Sequence, residues 1–176
     1  MKTQEIKNHS DLKLLMMQEK DIAGVLEIQN ETGLSVWTAL DYKIEVNSID
    51  SICMVAKDEN PGVVGFAVLK LIVGDVESDS KSTKSSHNSS EIYNIALKDD
   101  FQGRGFGQII LTEIISHLKV LQILDIWLEV RKSNSRARGF YQKNGFLEQF
   151  VRKNYYQNPV EDAYILKLKI NYEDKI

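Results

Sequence analysis

The sequence predicts a mixed α/β (α+β) domain, with a central sheet of about seven strands and four helices. Three observations carry this. Residues 124–131 alternate strictly, with Leu124, Ile126, Leu128 and Val130 on one face and Asp125, Trp127, Glu129 and Arg131 on the other, as a half-buried strand requires. Over 104–120, Phe106, Ile110 and Ile114, and Leu111, Ile115 and Leu118, step by three and four, the pattern of an amphipathic helix. Between that helix and the strand before it lies a glycine-rich turn, Gln102-Gly103-Arg104-Gly105-Phe106-Gly107.

The other elements follow in order. Residues 12–17 (LKLLMM) read as a first strand. Ile22, Val25, Leu26 and Ile28 place a helix over 19–32, and a second short helix spans Thr38 to Asn47. Residues 51–57 and 63–73 are strands joined at the turn signal Asn60-Pro61-Gly62, a β-hairpin. Residues 78–91 hold seven Ser in fourteen positions and no aliphatic or aromatic anchor, and read as a mobile surface loop. A strand over 92–97 leads into the glycine turn. After the alternating strand, Ser133 reads as the N-cap of a helix over roughly 134–143, ended by Asn144-Gly145. Two strands, 146–153 and 163–170, close the chain around a turn at Asn158-Pro159. The order is β-αα-βββ-α-β-α-ββ.

Composition narrows the function. At 176 residues one domain is favoured, 1–176, carrying the Ser-rich segment as an insert. Cys53 is the sole cysteine, so no intrachain disulfide exists, and with three scattered histidines (His9, His87, His117) it makes no zinc cluster. No metal is expected. A net charge of −3 leaves no overall nucleic-acid footprint. No apolar run reaches a membrane span, and the N-terminus lacks the apolar core of an export signal. A cytoplasmic protein that binds neither nucleic acid nor membrane is expected.

The glycine turn points to a ligand. Glycines before a helix let backbone N–H groups crowd around an anion, and the helix N-terminus and Arg104 add positive charge. A Walker A loop requires Gly-Lys-Ser/Thr, which Gly107-Gln108-Ile109 is not. The dinucleotide fingerprint requires a further glycine where Gln108 stands. A tight β–α connection with no ligand remains the plainer alternative.

These residues resemble the GNAT superfamily of acetyl-CoA-dependent N-acetyltransferases. Gln102 to Gly107 matches its Q/R-x-x-G-x-G/A pyrophosphate motif, preceded by the strand Asn94-Ile95-Ala96-Leu97. Residues 128–146 (LEVRKSNSRARGFYQKNGF) and 155–165 (YYQNPVEDAYI) resemble two signatures of the ribosomal-protein-alanine N-acetyltransferases, the RimI type. The likeness covers roughly 11–170. It departs at Asp99, where the family commonly has Pro, at Val36-Trp37, where it commonly has Pro-Trp, and in the Ser-rich insert.

The resemblance implies the GNAT acyl-CoA N-acyltransferase fold, acetyl-CoA as cosubstrate, and the N-terminal segment of a protein, most plausibly ribosomal, as partner. Glu129 becomes the candidate base and Tyr141 the candidate acid; from the residues alone Glu129 reads rather as an exposed strand Glu paired with Arg131, and Tyr141 equally as a core tyrosine. Ile95, Ala96 and Leu97 would lend backbone groups to the pantetheine. Gln102, Gly103, Arg104, Gly105, Phe106, Gly107 and Gln108 would hold the pyrophosphate. Asn134, otherwise a capping-turn residue, would contact the cofactor near the pantetheine. Trp37, Tyr155 and Tyr156 are candidate peptide contacts or ordinary packing residues. With no Ser/His/Asp triad evident, direct attack by the amine is the simpler chemistry. The competing functions are acetylation of another N-terminus or of a small amine, a non-catalytic acyl-CoA-binding module, and a generic phosphate binder.

Overall fold

The computed structural model describes residues 12–34, 37–58, 62–73 and 87–172. The elements are β1 (Lys13–Met16), a 3-10 turn (Glu19–Asp21), α1 (Ile22–Thr32), α2 (Ala39–Val46), β2 (Ser51–Asp58), β3 (Gly62–Val73), β4 (His87–Leu97), a second 3-10 turn (Asp99–Phe101), α3 (Phe106–Val120), β5 (Asp125–Arg131), α4 (Ser135–Lys143), β6 (Leu147–Gln157) and β7 (Val160–Lys169). The strands make one mixed seven-stranded sheet in the order β1-β2-β3-β4-β5-β7-β6. β4 and β5 run parallel, whereas β1–β2, β5–β7 and β6–β7 are antiparallel. The chain divides into two compact units, Met1–Val68 with Asn94–Ile114, and Leu69–Tyr93 with Ile115–Ile176.

In the first unit the core gathers around α1 and β2. Val25 and Ile28, three apart on α1, are fully buried with Tyr42, Val55 and Phe66. Ile52 to Ala56 are buried without a break, so β2 is covered on both faces and cannot show a period of two. Buried Gln29 is satisfied on both sides: its Oε1 accepts from the Tyr42 hydroxyl at 2.8 Å and its Nε2 donates to the Trp37 carbonyl at 2.9 Å. Thr38 and Asp41 close a capping box at the start of α2. Gly65 of β3 marks a close approach, because a Cβ there would lie 2.5 Å from Leu97 Cδ2, 3.1 Å from the Ala96 carbonyl oxygen and 3.2 Å from Ile110 Cδ1. Leu97 can turn aside, but the Ala96 backbone cannot. Gly65→Ala is expected to cost about 1–3 kcal/mol in urea unfolding, as overpacking does.

In the second unit β5 alternates as predicted, with Ile126, Leu128 and Val130 buried and the intervening residues half-buried. Leu124 falls outside this pattern; it precedes the strand and is exposed. α4 buries Tyr141, and Phe146 packs beside it.

Two expectations need correcting. β4 opens at His87, so residues 87–91 of the expected Ser-rich loop are strand, paired in register with β5 from Ser89↔Asp125 to Ile92↔Leu128. Backbone pairing outweighs a composition without apolar anchors. The rest of that segment, 78–86, lies outside the described residues, as do Val36, the Asn60-Pro61 part of the turn signal, and residues 1–11. The N-cap of α4 is Asn134, whose Oδ1 accepts from Ala137 N at 3.0 Å. Ser133 instead donates both its N–H and its hydroxyl to the Glu161 carboxylate.

Candidate active site

The glycine turn belongs to the first unit. Gly103 (φ 75°) and Gly105 (φ 86°) both adopt left-handed backbone, which side chains resist. The Gly105 carbonyl accepts from Gln108 N at 3.0 Å and Ile109 N at 3.2 Å, so α3 starts directly after it. The start of a helix presents N–H groups with no carbonyl one turn back, and the fifteen residues of α3 align their dipoles behind it. Gly103, Arg104 and Gly105 are exposed, which fits a pyrophosphate.

The side chains around this turn have other tasks. Gln102 Nε2 donates to the Leu97 carbonyl and to Asp99 Oδ1, both at 2.9 Å, bracing the connection from β4. Phe106 is buried, its ring 5.7 Å from that of Phe101. Gln108 is exposed on the first turn of α3. Whatever Gln102 and Phe106 offer a ligand is therefore backbone. Ile95, Ala96 and Leu97 are half-buried and lie beyond Ile92↔Leu128, the last β4–β5 pair, so this stretch of β4 fits a pantetheine lying alongside as an added strand. Trp37, in the same unit, packs its ring 5.1 Å from Tyr42 and lines a shallow depression with Asp41, Ile44 and Glu45.

The second unit holds the candidate acid–base groups. Glu129 projects from the polar face of β5 into an open pocket of about 290 Å³, with Glu91, Trp127, Phe150 and Arg152 on its walls. Its side chain is 16% exposed and pairs with the Arg152 guanidinium, not with Arg131. Arg131 instead bonds Glu161 at 3.4 Å and lies 4.0 Å above the Tyr156 ring. The Tyr155 hydroxyl donates to the Glu129 carboxylate, and that bond, with burial, pushes its pKa up to about 12. Trp127 is fixed by its Nε1–H on Asp125 Oδ1 at 2.8 Å and by Lys167 Nζ, 4.5 Å from its ring centre. Burial alone would raise Asp125; hydrogen bonds from Lys167, Ser89 and Trp127 outweigh it and lower the carboxyl.

Tyr141 is buried between Phe140 and Phe146, with ring centres 5.4 and 5.3 Å away. Burial, with a smaller effect from Tyr156, holds its phenol above the ordinary value. Tyr156 is itself raised, by burial and then by the charge of Glu129. The structure thus brings Glu129, Tyr155 and Tyr156 together, and packs Tyr141 against Phe140 and Phe146. Asn134 is committed to capping α4.

Glu91 and Arg152 escaped the sequence reading. By composition Glu91 falls in the Ser-rich loop, but Ser90, Ile92 and Asn94 are buried and alternate with it, as in a strand. Burial, then the Glu129 charge, raises the Glu91 carboxyl above its ordinary 4.5. A raised carboxyl binds its proton more tightly when folded, so it costs stability as pH rises through the shifted value and costs nothing below 4.5. Glu91→Gln should accordingly raise the Tm at pH 7 by about 1–3 °C, and the gain should vanish in acid. Among the described residues no group of three or more His, Cys, Asp or Glu could hold a metal ion, and no helix is long and apolar enough to cross a membrane.

Comparison with known proteins identifies the family and the fold. The acetyltransferase (GNAT) family profile matches residues 22–146. The ribosomal protein bS18-alanine N-acetyltransferase of Haemophilus influenzae is 32% identical over 139 residues, covering 79% of this chain and 84% of that protein. The crystal structure of the ribosomal-protein-S18-alanine N-acetyltransferase from Escherichia coli superposes with a TM-score of 0.76 at 23% identity, covering 94% of this chain and 99% of the other. NAA60 of Arabidopsis thaliana, solved with acetyl-CoA, gives 0.78 at 16% identity, covering 91% and 99%.

Proposed function

The chain belongs to the acetyltransferase (GNAT) family and is an acetyl-CoA-dependent N-acetyltransferase, and on that premise we propose that its acceptor is the α-amine of an N-terminal alanine, that of ribosomal protein bS18. The observation that carries the proposal is the pair of carboxylates, Glu129 and Glu91, lining one open pocket. The likeness to the Haemophilus influenzae enzyme supports alanine and bS18 as the acceptor. Such a pocket attracts an ammonium group, and an α-amine of pKa about 8 gives up its proton more readily than a lysine of about 10.4. The reaction belongs in the cytoplasm, where ribosomal proteins meet acetyl-CoA.

When bound, acetyl-CoA supplies an activated acyl group and a thiolate leaving group. The chain supplies the rest. Backbone N–H groups of Gly103 to Gly107 hold the pyrophosphate, and Ile95 to Leu97 hold the pantetheine. Glu129 takes the amine proton, directly or through water, with Arg152 and Tyr155 fixing its carboxylate. Tyr141, protonated at neutral pH as any phenol is and held more firmly so by burial, would be the acid for the departing thiolate. Trp37, Tyr155 and Tyr156 contact the substrate peptide. No covalent enzyme intermediate is needed, and Cys53 is buried in β2.

A peptide panel tests the acceptor. Peptides matching the bS18 N-terminus should be acetylated when they start with Ala, and at least about tenfold more slowly when they start with Leu or Glu. Acetylation of small amines while Ala-starting peptides stay unmodified would transfer the assignment to a small-amine enzyme.

A further inference from the structure

We propose that Glu31, on the last turn of α1, is a positioning residue for acetyl-CoA: it holds the backbone N–H of Asp99 and so fixes the turn that aims the Gly103–Gly107 amides. The proposal rests on the reading of that glycine turn as the pyrophosphate site.

Asp99 opens the second 3-10 turn, where the first N–H has no partner inside the turn. Glu31 Oε1 accepts that N–H at 2.8 Å. Two further groups of Asp99 are engaged: its carbonyl accepts from Gln102 N at 3.1 Å and its Oδ1 from Gln102 Nε2 at 2.9 Å. Asp99 is therefore the hub of the short connection between the pantetheine strand and the glycine turn. Its neighbour Lys98 is tied through its N–H to the Val64 carbonyl at 2.9 Å and through its ammonium to Glu27 at 3.5 Å. Glu27 and Glu31, four apart on α1, thus grip successive residues of one connection. Every bond lies within the first unit. Removing the Glu31 carboxylate frees Asp99 N–H to water and lets the hub shift, which should weaken cofactor binding and leave the acid–base groups untouched.

Proline at position 99 tests this directly. It has no N–H, suits the first position of a helical turn, and requires an extended residue before it; Lys98, at φ −51° and ψ 146°, already is one. Acetyl-CoA Kd by calorimetry, with kcat on an Ala-starting peptide, should be measured for Glu31→Ala in the natural and the Asp99→Pro backgrounds. The expected result is a five- to tenfold weaker Kd in the natural background (roughly what one ordinary hydrogen bond contributes), kcat within about twofold, and no further loss in the Asp99→Pro background. Glu31→Gln, which keeps an oxygen acceptor, should recover most of the affinity even if the proline variant fails to fold. An unchanged Kd for Glu31→Ala, an equal loss in both backgrounds, or Glu31→Gln as weak as Glu31→Ala would overturn the proposal. Gly105→Val separates the two readings: if it abolishes binding while Glu31→Ala does nothing, the glycine turn stands and the role of Glu31 falls.

Discussion

Glu129→Gln is expected to lower kcat on an Ala-starting peptide by about two to three orders of magnitude, the range for loss of a general base, with acetyl-CoA affinity held within about twofold. The substitution isolates the proton. A glutamine oxygen can still accept from Arg152 and from the Tyr155 hydroxyl, so the local geometry survives while the ability to take the amine proton is lost. The same experiment on Glu91 gives the contrast. Glu91 shares the pocket, and its carboxyl is raised by burial and by Glu129. If Glu129 is the base, Glu91→Gln costs about tenfold or less. The reverse ranking, with Glu91→Gln inactive and Glu129→Gln near normal, would make Glu91 the base.

Gly105→Val should weaken acetyl-CoA binding by about a hundredfold or more. Two effects add. At φ 86° a β-branched residue pays about 1–2 kcal/mol for left-handed backbone, and its branched side chain intrudes where a ligand must approach the N–H groups at the start of α3. Calorimetry separates this from misfolding, since the Tm should fall by only a few degrees. Gly107, already inside the helix, carries no positive φ, so Gly107→Ala should be far milder.

What could be read from the sequence was local. The alternation of β5, the amphipathic spacing of α3 and the glycine turn are each decided within a few residues, and each stands where it was expected, apart from Leu124, which precedes β5 and is exposed. Chemistry assembled across strands was hidden. Ser133 donates instead to Glu161, twenty-eight residues on, and Asn134 is the cap. Glu91 sits in a run whose composition reads as loop, and only its register against Trp127 of β5 makes it a strand residue facing Glu129. Arg152 had no motif to mark it; β6 lies beside β7, which pairs with β5, and that order carries its guanidinium to the Glu129 carboxylate. Gln102 was found by the motif, but its side chain is spent on Leu97 and Asp99.

The proposed reaction is transfer of acetyl to an alanine α-amine. Unacetylated bS18 from the same cell, incubated with the enzyme and acetyl-CoA near neutral pH and analysed by intact-protein and tandem mass spectrometry, tests it most directly. A single acetyl group on the N-terminal alanine is expected, and none when Glu129→Gln replaces the natural enzyme. Acetyl groups on lysine side chains with a free N-terminus, or unmodified bS18 beside an enzyme that turns over small amines, would contradict it.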